Sequence, residues 1–76
     1  MKSLMLLCGG SEFGLALAKR FGIHKAYWRM LSIDSVENSI VGKNVSCNWE
    51  ADIEPQLPEI HSQVQKFSKA YFYLII

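Results

Sequence analysis

Cysteine and histidine are scarce in this sequence, and their spacing excludes several classes of small protein. The 76 residues include two cysteines, Cys8 and Cys47, whereas a disulfide-stabilised secreted domain usually has four or more. No Cys-x-x-Cys pair is present, and the two histidines, His24 and His61, lie far apart in the sequence, so no metal site is predicted. We expect both histidines in surface or packing roles. Two free thiols favour a reducing compartment, and we expect a cytoplasmic protein.

Long basic runs and long apolar runs are also missing. The formal net charge is +1, and the short basic patches at 19–20 and 66–69 are typical of solvated helix faces, so nucleic acid is not an expected partner. No stretch approaches the ~20 apolar residues of a membrane span. The apolar segment 4–8 is shorter than the ~7–15 residues at the centre of a signal peptide. We expect no membrane partner, and a lipoprotein that uses Cys8 is the exported alternative.

What the sequence does contain is a regular succession of apolar and amphipathic segments. Half of the residues are hydrophobic and 20% are charged, as in a single small globular domain. Apolar runs predict strands at 4–8, 27–33 and 71–76, with a weaker strand at 40–47. A polar loop at 35–39 replaces the helix that would join the second and third strands. The order β-α-β-β-α-β predicts an α/β fold with a mainly parallel sheet, a partial Rossmann-type (NAD(P)-binding) fold.

Two helices separate these strands. In the first, predicted over 12–21, Phe13, Leu17 and Phe21 recur every four residues, which predicts one buried stripe. Gly22 is expected to end this helix in the manner of a C-terminal glycine. The second helix is predicted to start near the prolines at 55 and 58, where proline is tolerated, and to run to about residue 69.

A glycine cluster links the first strand to the first helix, and an acidic residue follows the second strand. Glycine lets a backbone approach a diphosphate closely, and a helix N-terminus offers amide groups and partial positive charge. A carboxylate at the end of the second strand accepts hydrogen bonds from the adenosine ribose. The predicted cofactor-binding residues are Gly9, Gly10, Ser11, Phe13, Gly14 and Asp34. No arginine follows Asp34 in the loop, which predicts a preference for NADH over NADPH.

The segment Leu-Leu-Cys-Gly-Gly-Ser-Glu-Phe-Gly-Leu-Ala-Leu-Ala-Lys-Arg-Phe resembles the opening of short-chain dehydrogenase/reductases. Within that superfamily, the segment from Trp28 to Asn38 is similar to the second strand of dihydropteridine reductases, which ends in Ser-Ile/Val-Asp followed by Glu-Asn. The resemblance covers nearly all of this chain and about the first third of such an enzyme. It implies that residues 1–76 form a truncated dinucleotide-binding domain.

The resemblance also implies an activity, the NADH-dependent reduction of quinonoid dihydropterin that regenerates tetrahydrobiopterin. The family's catalytic Tyr-x-x-x-Lys pair has no counterpart here, because Leu31 stands four residues after Tyr27. No catalytic residue is therefore predicted, and dihydropterin is an expected substrate only of a full-length relative. The glycine loop is one residue shorter than the family's, and Glu12 lies near the position of its middle glycine.

A second hypothesis assigns the chain no enzymatic role. A carboxylate at Glu12 disfavours a diphosphate, so the chain is alternatively a small interaction domain or a remnant with a degenerate nucleotide site. The final strand is expected at the edge of the sheet, and an open edge favours self-association.

Overall fold

Four strands and two helices form the structure, a computed structural model that describes residues 2–23, 28–69 and 72–75. The elements are β1 (Lys2–Leu7), α1 (Glu12–Gly22), β2 (Trp28–Asp34), β3 (Lys43–Ser46), a 3-10 turn (Glu54–Gln56), α2 (Leu57–Phe67) and β4 (Phe72–Ile75). This order confirms the predicted β-α-β-β-α-β sequence. The expected role of His24 lies outside the described residues.

The sheet is parallel throughout, and its strand order is β3-β2-β1-β4. Leu4 is paired with Met30 on one side of β1 and with Tyr73 on the other. Strands β2 and β3 are joined by the loop 35–42, which contains no helix. The predicted α/β fold class is confirmed, and the strand order matches the first four strands of the Rossmann order 3-2-1-4-5-6.

Each face of the sheet carries its own apolar cluster and its own helix. The alternation of a strand sends Leu4 and Leu6 of β1 to one face and Met5 and Leu7 to the other. The cluster on the α1 face contains Leu4, Leu6, Ala18, Met30 and Val41. The cluster on the α2 face contains Leu31, Ile33, Val45, Cys47 and Ile60. The central strands are thus covered on both sides, which explains their nearly continuous apolar sequences.

The buried side of α1 differs from the predicted stripe. Phe13 is 65% exposed, whereas Gly14 and Ala18 are buried. The line through 14 and 18 lies about 100° around the helix from the line through 13, 17 and 21. Leu17 and Phe21 still reach the first cluster from its flank, but Phe13 in the first turn does not. The prediction of a buried Phe13 is therefore wrong.

Three further expectations need correction. Gly22 is the last residue of α1, Ile23 caps it in a right-handed conformation, and none of the glycines in the described ranges has a positive φ. The third strand is shorter than the predicted 40–47, because Ile40 and Val41 pack into the α1-side cluster instead of continuing the ladder. The helix predicted to reach about 69 ends at Phe67. A 3-10 turn that contains Pro55 precedes its start at Leu57.

Candidate functional site

The candidate site lies at the carboxyl edge of the sheet, where the bend of residues 8–11 leads from β1 into α1. The Cys8 amide donates to the Ile33 carbonyl at 3.0 Å, and the Ser11 amide donates to the Cys8 carbonyl at 3.2 Å. Cys8 has a φ of 58°, so it occupies the left-handed region that usually favours glycine. The turn conformation expected of Gly9 and Gly10 is therefore adopted by Cys8.

The glycines serve close packing instead. A Cβ atom at Gly9 would collide with the Ser32 side chain, and one at Gly10 would collide with the Val36 carbonyl. At Gly14, a Cβ would collide with the backbone of Gly9. Their small size brings the bend, the end of β2 and the first turn of α1 into direct contact.

Asp34, the last residue of β2, lies against this bend. Its Oδ2 accepts a hydrogen bond from the Gly10 amide at 3.0 Å. Its Oδ1 accepts from the Ser35 amide at 2.7 Å and from the Trp49 indole Nε1 at 2.9 Å. The structure therefore brings the predicted acid and the predicted glycine turn together. A longer contact from the Ser35 hydroxyl to Oδ1, at 3.4 Å, adds to these donors.

These contacts set the charge of the carboxylate. Partial burial raises the pKa of Asp34, but hydrogen bonds from the Trp49 indole and from the main chain of Ser35, Gly10 and Val36 together outweigh it. The net result is a pKa below the ordinary value for aspartate. Asp34 is consequently ionised at neutral pH, so both of its oxygens act only as hydrogen-bond acceptors.

The N-terminus of α1 supplies the remaining polar groups of the site. Ser11 caps the helix, and its Oγ accepts from the Gly14 amide at 3.1 Å. The helix itself gives the amides of Glu12 and Phe13 no acceptor. Both of these residues have exposed side chains. The first turn therefore presents main-chain donors to solvent, beside the carboxylate of Glu12.

Asn38 is a residue of this region that the sequence alone did not single out. It is 1% exposed, and its Nδ2 donates to the carbonyl of Gly9 at 2.8 Å and to that of Gly14 at 3.3 Å. Asn38 and Asn44 also exchange hydrogen bonds, from the Asn38 amide to Asn44 Oδ1 at 2.8 Å and from Asn44 Nδ2 to the Asn38 carbonyl at 3.0 Å. The loop after β2 is thereby fixed to the bend and to β3. The one sequence signal at this position is the Glu-Asn pair after Asp34, and the predicted site residues did not include it.

Ser32 contributes a buried hydroxyl beneath the bend. It lies in β2 two residues before Asp34 and is 1% exposed. Its Oγ has no hydrogen-bond partner among the described residues, and the absent Cβ of Gly9 leaves the space that it occupies. The Ser32 side chain thus fills the space beside Gly9 although its hydroxyl gains no hydrogen bond from the described residues.

A separate cavity of about 400 Å³ lies between α2 and β4. It is lined by His61, Val64, Gln65, Ser68, Lys69 and Phe72. Phe72 is paired with Ser3, near the start of β1, so the cavity lies toward the amino edge of the sheet. It is distinct from the bend and Asp34, which lie at the carboxyl edge.

Comparisons with family models, with curated proteins and with solved structures find no match. Within residues 2–23, 28–69 and 72–75, no helix has the length and apolar character to span a membrane. The same residues bring no three histidine, cysteine or acidic side chains together as a metal site.

Proposed function

We propose that the chain binds a dinucleotide, NADH in preference to NADPH, at the bend between β1 and α1. The observation that supports this most is the 3.0 Å contact between the Gly10 amide and Asp34 Oδ2. A diphosphate group and an adjoining ribose require amide donors and a carboxylate within one nucleotide's length. That contact places Asp34 against the bend that leads into α1, whose first-turn amides have no acceptor within the helix.

Each part of the cofactor has a chemical counterpart at this edge. The amides of Glu12 and Phe13 and the positive end of α1 attract the diphosphate. Gly9, Gly10 and Gly14 let the bend lie close to the end of β2 and the first turn of α1. Ser11 and the exposed Phe13 border the approach. Asp34 accepts hydrogen bonds from the ribose hydroxyl groups.

The preference for NADH follows from charge. Because the pKa of Asp34 is lowered, the group is an anion at neutral pH, and an anion at this place repels the 2′-phosphate of NADPH. The loop 35–39 that follows Asp34 has no arginine to neutralise the charge of that phosphate. NADPH is therefore the weaker ligand.

From the sequence resemblance, we propose that the chain is the cofactor-binding part of a dihydropteridine-reductase-like oxidoreductase in the cytoplasm. No residue of the chain is assigned a catalytic role, since the Tyr-x-x-x-Lys pair has no counterpart. The proposed activity of these residues is thus to hold a hydride carrier. Reduction of a dihydropterin belongs to a full-length relative.

Titration of the folded chain with NADH tests the proposal. We expect saturable binding in calorimetry, weaker binding of NADPH, and a loss of about tenfold or more in affinity on Asp34→Asn, which removes the charged acceptor. Circular dichroism establishes that each variant is folded. If the folded wild-type chain shows no heat of binding at millimolar NADH, the proposal is wrong.

The non-enzymatic alternative is favoured by one observation, the exposed Glu12 carboxylate at the first position of α1. If that charge alone weakens a working site, Glu12→Gln should raise the affinity for NADH about threefold or more at low salt. Glu59→Gln is the matched control, because Glu59 occupies the first turn of α2. A site without residual cofactor function would show no gain with Glu12→Gln.

A further inference from the structure

Trp49 covers the carboxylate that the proposed cofactor would use. It lies in the turn after β3, the strand next to β2, so its side chain reaches Asp34 across the carboxyl edge of the sheet. Its indole Nε1 donates to Asp34 Oδ1 at 2.9 Å. The side chain is 41% exposed, so the ring lies at the surface while its N–H occupies Asp34.

The acceptor capacity of Asp34 is limited by this contact. A carboxylate oxygen offers about two lone-pair positions. Oδ1 already accepts from the Ser35 amide at 2.7 Å and from the Trp49 indole at 2.9 Å, with a weaker contact from the Ser35 hydroxyl at 3.4 Å, whereas Oδ2 accepts from the Gly10 amide. A ribose that presents two neighbouring hydroxyl groups to both oxygens therefore needs one position on Oδ1 to be vacated.

We propose that Trp49 is a gate on this site, whose indole N–H takes the place of a ribose hydroxyl and must leave Asp34 before a dinucleotide binds. The inference rests on the proposed function, because the hydroxyl group that displaces the indole belongs to the proposed dinucleotide. Trp49 acts through Asp34 and is a positioning residue that sets the affinity of the site.

The local structure allows the ring to leave while its backbone stays. The turn is held by the Ala51 amide, which donates to the Asn48 carbonyl at 3.3 Å, and by Gln56, whose Oε1 accepts from the Asn48 amide at 2.8 Å. The main-chain donors to Asp34 belong to the bend and to the end of β2, whereas the indole moves by side-chain rotation. The gate therefore opens without rearrangement of the sheet.

Only molecules with an open gate can bind the ligand. The apparent affinity is therefore the affinity of the open form multiplied by the fraction of molecules that are open. Trp49→Phe keeps a ring and removes the N–H donor. We expect this variant to bind NADH about threefold to tenfold more tightly than the wild-type chain, because it loses one competing hydrogen bond.

Trp28→Phe is the matched control, since it makes the same replacement at the opposite end of β2. Trp28 packs at 4.9 Å from the ring of Phe21 and lies six residues, or roughly 20 Å, from Asp34. Its NADH affinity should equal that of the wild-type chain. Calorimetry on the full chain measures all three dissociation constants, and circular dichroism verifies folding.

A spectroscopic readout separates the gate from a merely structural role. In the cofactor-free chain, the Trp49 indole N–H resonance should show the downfield position and slow exchange of a hydrogen-bonded proton. Saturation with NADH should move it toward the position of a solvated indole. The Trp28 resonance should remain where it is.

The results distinguish the gate from the proposed function beneath it. Tighter binding by Trp49→Phe together with the shifted indole resonance supports the gate. Equal binding by both chains overturns the gate and leaves the dinucleotide site standing. Weaker binding by Trp49→Phe also overturns it and assigns the indole a direct role in holding the ligand. No binding by either folded chain overturns the site and the gate together.

Discussion

Asn38 connects three parts of the chain that are distant in sequence. Its side chain satisfies carbonyl groups of the bend and of α1, and its backbone is paired with Asn44 at the start of β3. A buried side-chain amide is stable only when its polar atoms have partners. The shape of the candidate site therefore depends on a residue that has no proposed contact with a ligand.

Removing that side chain should destabilise the fold. Asn38→Ala removes the side-chain donor to the buried Gly9 carbonyl and a second donor to the helical Gly14 carbonyl, and we expect a loss of about 2–4 kcal/mol in the free energy of unfolding. Urea denaturation followed by circular dichroism measures it. Asn48→Ala is the control, since the side chain of Asn48 is exposed and should matter by less than about 0.5 kcal/mol. Equal effects of the two variants would contradict the role given to Asn38.

Asp34 should link stability to pH. Its pKa is lowered in the folded chain, so the ionised form stabilises the fold at pH values above the ordinary aspartate pKa, and this contribution disappears as the pH falls through the folded value. Relative to Asp34→Asn, the wild-type chain should be more stable by about 1 kcal/mol near neutral pH. The difference should shrink as the pH falls below the ordinary aspartate pKa and vanish once the pH lies below the folded pKa of Asp34.

Comparison of the two chains across pH isolates Asp34 from the other carboxylates, which titrate in both. Urea midpoints between neutral and acidic pH give the difference directly. A difference that stays constant down to the most acidic folded condition would show that the charge of Asp34 contributes nothing.

At the scale of the element, the strands were predictable and their surroundings were not. Three continuous apolar runs predicted β1, β2 and β4 to within a few residues, because a strand covered on both faces has few polar positions. The short β3 and the exposed Phe13 escaped prediction, since both depend on where the neighbouring helix and loop lie. Asp34 and the glycines were predicted as a pair from their spacing, whereas Trp49 reaches them through tertiary packing that no local pattern encodes.

The start of α1 depends on a single cap. Ser11→Ala removes the Oγ that accepts from the Gly14 amide, and we expect a loss of about 1 kcal/mol in unfolding free energy. Ser11→Asp keeps an acceptor at the same place and should retain most of the stability. Urea denaturation of the three chains provides the measurement. If alanine and aspartate were equally destabilising, the hydroxyl would have no capping role.

At the scale of the whole molecule, two small cores flank one thin sheet. A chain of this length buries only ~60% of its unfolded surface, so the margin of stability is narrow. The two cysteines differ in accessibility, since Cys8 is exposed and Cys47 is completely buried in the cluster on the α2 face. The reactivity of Cys47 therefore measures how often the fold opens. Burial raises the pKa of the Cys47 thiol, and the negative charge of Asp34 adds to the effect.

Thiol labelling should therefore occur in two phases. Cys8 should react with a thiol reagent as an accessible cysteine does, whereas Cys47 should react only when the fold opens, about a hundredfold or more slowly. Mass spectrometry over time resolves the two positions. Cys8→Ser should abolish the fast phase alone, and a fast reaction at Cys47 in that variant would contradict the structure.

The position of β1 has a consequence for synthesis in the cell. It is an inner strand of the sheet, yet its partner β4 is made about 70 residues later. At ~5–20 residues per second, one edge of β1 waits on the order of 3 to 14 seconds on the ribosome before Phe72 exists. During that interval the nascent chain has an apolar strand without its neighbour, which is the kind of segment that chaperones recognise.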